Sequence, residues 1–233
     1  MGKHYPHGNQ HRRKLKDYFF EFFMLFLAVT AGFFMENMRE SYIDNHKENQ
    51  YISSLIRDVQ EDTAEISEVV KASEFQIKGI DSLIILLENP VSEINTSKLY
   101  YFVNRYLSTL KGFSVREVTI TQLRNSAGLR LIDNNSVSDS IVIYYGTYDS
   151  HVDQQNYNYK IFQEMTGMEM EILDFSAYRI KGREMTIDTS HIKEFYNRIL
   201  IFNSMLSNEA DWLKTYQKKG TALLKHLKEE YKV

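Results

Sequence analysis

Three histidines near the N-terminus, His4, His7 and His11, and the stretch DSHVD, which sets His151 between Asp149 and Asp153, are the groupings whose residue types suit metal coordination or proton transfer. Metal sites need fixed geometry, and Pro6 with Gly8 makes the first grouping a flexible tail. The second lies on an expected helix where its three side chains do not share one face, so a solvated surface is expected there. No Glu is followed three residues later by His, which argues against a di-iron bundle. Phosphate-binding loops, a dinucleotide fingerprint, HExxH, GxSxG and an EF-hand loop are all absent from the sequence. Without cysteine there is no disulfide, thiol nucleophile or thiolate metal site. The expectation is therefore a non-enzymatic protein with no catalytic residue, no cofactor and no metal.

Two further features touch on binding. Sixteen tyrosines, among them Tyr100, Tyr101, Tyr144, Tyr145, Tyr157 and Tyr159, offer apolar bodies with polar tips. Most fall at helical spacing, which predicts packing between helices rather than a ligand groove. Glu209 is in register with the seam of the last helix and is expected at its edge, beside Ala210. A net charge of -3 with both signs interspersed gives no basic face for nucleic acid.

The elements that carry these residues begin with KDYFFEFFMLFLAVTAGFFMENMRE, residues 16 to 40. From Tyr18 to Met35 there are 18 residues with one formal charge, Glu21, enough for a membrane span. Its ten Phe, Leu and Val residues favour insertion by about 3 to 6 kcal/mol together, against a cost of about 2.5 to 3.5 for a central acid. Glu21 lies one turn from the basic end, where its carboxylate reaches the headgroup region at a smaller cost. Lys3, Arg12, Arg13, Lys14 and Lys16 precede the span, and only Arg39 and Lys47 follow within 20 residues. This asymmetry predicts a bacterial inner-membrane protein with a cytoplasmic N-terminus and a periplasmic body. Val29 to Gly32 offers an alternative, cleavage of a signal peptide after Ala31, against which Glu21 counts. Ala28 and Gly32 have the small-xxx-small spacing of close helix pairs, so Glu21, Ala28 and Gly32 are the candidate contacts to another membrane helix.

Downstream, the sequence is punctuated sparingly, with two prolines and ten glycines. One helix is expected from about Lys14 to Glu88, ended by Asn89 and Pro90; its part beyond the span, some 50 residues, would be about 75 Å long. Leu55, Val59, Ile66, Val69, Ile77, Ile80, Ile84 and Leu87 form one apolar seam along it. Thr96 is expected to cap SKLYYFVNRYLSTL. Thr119 and Gln122 should form a capping box for TITQLRNSAG, with Gly128 in a left-handed terminal position. Ser136 and Asp139 should open a long helix to about Leu173, with Ile141, Tyr144, Tyr148, Val152, Tyr159, Phe162 and Ile172 inside. DFSAYRIKGREMTID reads as a connector with extended character. The last helix carries Ile192, Phe195, Ile199, Phe202, Leu206, Leu213, Tyr216, Leu223 and Leu227 in a three-four rhythm broken at Glu209 and Gly220. The fold expected is all-α: a tail (1–17), a transmembrane helix (18–37) continuing into a long amphipathic helix, and an antiparallel helical bundle within 38–233.

The openings FEFFMLFLAVTAGFFMENMRE and KENQYISSLIRDVQED resemble a Bacteroidota family of single-span helical membrane proteins, domain of unknown function 6090. Glu21 stands at that family's Gly-Glu position, Asn37 and Glu40 at its Asn-rich span end, and Tyr51, Leu55, Asp58 and Val59 on its charged helix. TQLRNSAGLRLIDNNSVSDSIVIYY is similar to the family's Gly-x-Leu-x-Leu-Ile-x-Asn core and following Tyr-Tyr helix, at Gly128, Leu131, Ile132, Asn134, Tyr144 and Tyr145. Phe20 in place of glycine, the phenylalanine-rich span, and Ser138 with Asp139 in place of Leu-Arg depart from it. The resemblance implies membrane anchorage and a helical body, and no activity. The function expected is that of a scaffold or accessory subunit, partnered by the lipid bilayer and by itself or another membrane protein. A ligand-binding sensory bundle acting through a partner is the alternative.

Overall fold

A computed structural model describes residues 15–126 and 128–232. Six α-helices follow one another: α1 (Leu15–Leu87), α2 (Thr96–Phe102), α3 (Val118–Asn125), α4 (Asn135–Asp149), α5 (Val152–Ile172) and α6 (Ile192–Tyr231). The described residues contain no strand, only an isolated bridge between Leu173 and Ile187, so the fold is all-α as expected. The chain divides into two compact units, residues 1–49 and 50–233. His4, His7 and His11 lie outside the described residues.

Within 50–233, contacts fix the direction of the long helices. Gln217 donates to the Thr63 carbonyl, Lys214 pairs with Glu74, Asn203 donates to Asp81 and Tyr196 to Glu88, so α6 runs antiparallel to α1. Tyr144 stacks on Tyr216, His151 bonds Glu209, and Glu164 pairs with Arg198, so α4 and α5 also run against α6. The bundle is antiparallel, as the three amphipathic patterns predicted.

Its interior is two apolar cores rather than one. The first joins Ile52, Leu55, Val59, Ile66 and Val69 of α1 to Ile120 of α3, Ile141 and Tyr144 of α4, and Leu213, Tyr216, Leu223 and Leu227 of α6. The second joins Ile80, Leu83 and Leu87 of α1 to Leu99 and Tyr100 of α2, Met165, Met168 and Ile172 of α5, and Phe195, Ile199, Phe202 and Leu206 of α6. Ile77 and Ile84, placed on the seam by spacing, are only partly buried.

The helix ends differ from expectation in instructive ways. α2 is capped one residue earlier, by Asn95, whose side chain accepts from the Lys98 amide at 2.9 Å. It continues as a π turn over Val103–Leu107, where the Gln76 amide donates to the Tyr106 and Thr109 carbonyls at 2.6 and 2.8 Å. The Tyr106 ring lies where a Cβ on Gly79 would stand, so this close approach depends on glycine. Thr119 does not cap α3: it sits inside the helix and donates to Asp58 at 2.5 Å. Gly128 opens a 3-10 turn, buried so closely that a Cβ would lie 3.0 Å from Leu123 Cδ2. Asn134, not Ser136, caps α4, accepting from the Ser136 and Val137 amides.

The expected helix to Leu173 breaks at Ser150 and His151, and the break rotates the residues of α5 relative to those of α4. Tyr148 and Ile172 remain buried, whereas Val152 and Tyr159, predicted inside, are exposed. The connector holds a 3-10 turn, Phe175–Tyr178, and the single bridge in place of a strand. Tyr100 ties it down: its hydroxyl donates to the Thr186 carbonyl at 2.6 Å and accepts from the Asp174 amide at 2.9 Å.

Candidate functional site

In residues 15–49 the notable surface is apolar. None of the most apolar 18-residue window of α1 is buried. Seven phenylalanines between Phe19 and Phe34 stand exposed, with Phe19 over Phe23 and Phe22 over Phe26 at ring separations of 6.4 and 6.5 Å. Glu21, Ala28 and Gly32 lie in this exposed segment, and a Cβ on Gly32 would meet no atom within 4 Å. The small-residue face is therefore open. Helix supplies the backbone hydrogen bonds internally, so such a segment is suited to hydrocarbon, and in water it would be costly.

In residues 50–233 the motif residues of α4 gather around a carboxylate that spacing did not single out, Asp62. Arg116 holds its Oδ1 with both its backbone amide (3.1 Å) and its guanidinium (2.9 Å), and Tyr144 donates to Oδ2 at 3.1 Å. The same guanidinium reaches Glu61 and Glu65 at 2.7 and 3.1 Å, pinning the segment before α3 to α1. Burial pushes the Asp62 carboxyl above its ordinary value against the pull of Arg116 and Tyr144, while Asp62 raises the guanidinium's own. Burial likewise raises the hydroxyls of Tyr144, stacked 4.7 Å from Tyr216, and of Tyr145, which has no hydrogen-bond partner. Gly128, Ile132 and Asn134 shape the turn that starts α4, and Asn134 also donates to Glu230 at 2.9 Å. Asp62 is fully enclosed and its oxygens are engaged by the fold, so this carboxylate holds elements together.

A second polar cluster lies between the two cores. His151, expected on a solvated surface, is nearly buried: its Nε2 is 2.9 Å from Glu209 Oε2 and its ring stacks on Trp212 at 3.6 Å. Glu209, expected at an edge, accepts in addition from Asn158 at 2.8 Å, and Asn158 accepts from Gln154 at 3.0 Å. These residues stand in the wall between two hollows. One is a groove of about 620 Å³ between α5 and α6, lined by Tyr157, Ile161, Leu200, Ile201, Met205 and Trp212 among others. The other, of about 310 Å³, is lined by Ser73, Phe113, Gln155 and Tyr159. Tyr159, expected inside, and Tyr157 thus line hollows, whereas Tyr100, Tyr144 and Tyr145 do pack between helices.

Among the described residues no group of three His, Cys, Asp or Glu is placed to hold a metal ion. The chain matches no family model, no curated protein and no solved structure.

Proposed function

We propose that this chain is a non-enzymatic, single-pass membrane protein whose helical bundle serves as a scaffold or accessory subunit, pairing with itself or with another membrane protein. One observation supports the reading above others: an apolar stretch of α1 in which no residue of the most apolar 18-residue window is buried. The excess of Lys and Arg before the segment favours a cytoplasmic N-terminus and a periplasmic bundle in a bacterial inner membrane. The resemblance to the single-span helical family of Bacteroidota favours membrane anchorage and a helical body. Washing membranes with alkaline carbonate tests it: the full-length protein is expected to stay in the pellet. Release into the supernatant, as for a peripheral protein, would overturn the anchor.

A second reading, a ligand-binding sensory bundle acting through a partner, is favoured by the 310 Å³ hollow beside Ser73 and Phe113, which has the size of a small-molecule site. Ligand-dependent thermal stabilisation of the purified protein would support it.

A further inference from the structure

The smaller hollow, of about 310 Å³, is lined from both cores, by Phe113 of the first and by Met205 and Leu206 of the second. Its polar groups are unequally provided for. The side-chain amide of Gln155 donates to the Phe113 carbonyl at 3.3 Å, and that of Asn158 to Glu209 Oε2 at 2.8 Å. Lys111, also on its wall, pairs with Glu68 of α1 at 3.6 Å. Two groups are left. Ser73 is 7 % exposed, and among the described residues its hydroxyl has no hydrogen-bond partner. Glu209 divides its oxygens between the two hollows: Oε2 is 2.9 Å from His151, which lines the groove and not the smaller hollow. Oε1 has only the Gln155 amide, 3.5 Å away, and Gln155 lines the smaller hollow and not the groove. At that distance a hydrogen bond is weak, so a carboxylate oxygen with acceptor capacity to spare faces the smaller hollow.

These unmet acceptors select the occupant. A carboxylate and a hydroxyl lining one partly enclosed space are matched by a positively charged group with several N–H donors. An acid would be repelled there, and a lone alcohol brings a single donor without charge. We propose that the hollow binds a small primary amine in its protonated form, the ammonium donating to Glu209 Oε1 and to the Ser73 hydroxyl, and the apolar body lying against Phe113, Met205 and Leu206. The proposal rests on the ligand-binding reading given above and names its class of ligand. The volume stands at the lower end of small-molecule sites, which suits an amine of one ring or a short chain.

The test titrates the full-length protein in mild detergent by calorimetry with three probes of one shape: 2-phenylethylamine, 2-phenylethanol and 3-phenylpropanoate. It is run at pH 8, where a free alkylamine is charged and free imidazole is not. The amine is expected to bind at least about tenfold more tightly than the alcohol or the acid. Glu209→Gln, which keeps the shape and removes the charge, should erase that preference, and Ser73→Ala should weaken the amine about threefold or more. Ser204→Leu, on the wall of the groove alone, should leave binding unchanged. The thermal midpoint of each variant without probe shows that it is folded. Amine binding that ignores Glu209→Gln and Ser73→Ala overturns this site, as does binding lost in Ser204→Leu. Alcohol or acid binding as tightly as the amine, and sensitive to Ser73→Ala, overturns the amine and leaves the ligand-binding reading standing. No binding of any probe at millimolar concentration overturns the proposal, and the ligand-binding reading falls with it when a wider screen of neutral and acidic compounds also leaves the thermal midpoint unmoved.

Discussion

The two cores of the bundle each bury carboxylates, and they treat them in opposite ways. In the first core Asp58 accepts from Thr119 and Asp62 from Arg116 and Tyr144, so each acid ties α1 to a later segment of the chain. In the second core Glu169, 2 % exposed among the Met and Ile side chains of α5, leaves its Oε1 without any partner. Burial alone pushes its carboxyl up to about 8. Tyr178 responds in the same direction, its hydroxyl raised to about 12 by burial first and then by the charges of Tyr100 and Glu169. A buried acid with three donors is structural cement, while one without them is tolerated by keeping its proton.

That contrast can be broken by three substitutions. Asp62→Ala should cost the most, about 3 to 5 kcal/mol in urea unfolding at pH 7, because it leaves the buried Tyr144 hydroxyl and the Arg116 backbone amide without their acceptor and takes one of three carboxylates from the Arg116 guanidinium. Glu169→Gln should act with the opposite sign, stabilising by about 2 to 4 kcal/mol above pH 8. The folded carboxyl titrates above its ordinary value of 4.5, so the stability tied to its proton is complete below about 4.5 and lost as pH rises to about 8. The advantage of the variant should therefore shrink across that window and vanish at its acid end; a difference independent of pH would show that Glu169 is not held protonated. Asn134→Ala, which removes the α4 cap in the first core, should cost about 1 kcal/mol, with the melting transition otherwise unchanged in shape.

How far the sequence foretold this arrangement depends on the range of the interaction. The bounds of α1 and α6 follow from Pro90 and from apolar periodicity, which are local signals. The polar residues of the bundle left a fainter trace. The seam of α1 skips from Val59 to Ile66 and again from Val69 to Ile77, and the missing positions are Asp62 and Ser73, both buried. A gap of seven or eight in a three-four rhythm was thus the signature of a polar residue held inside. Nothing local could have paired His151 with Glu209, which are 58 residues apart on separate helices. The expected unbroken helix ran through residue 151, whereas the chain breaks there and His151 stands at the N-cap of α5. Capping boxes misled for a related reason: the Thr119 hydroxyl lies inside α3 and donates to Asp58 instead of accepting from an amide at the start of its own helix.

Trp212 is the one tryptophan of the chain, and it is layered between the His151 ring at 3.6 Å and the Tyr216 ring at 5.0 Å. The molecule thereby carries an optical probe at the join of its two cores. Its emission, excited apart from the sixteen tyrosines, reads the state of that join alone, whereas circular dichroism averages over every helix. Superimposable transitions by the two signals would mean that the cores open as one body.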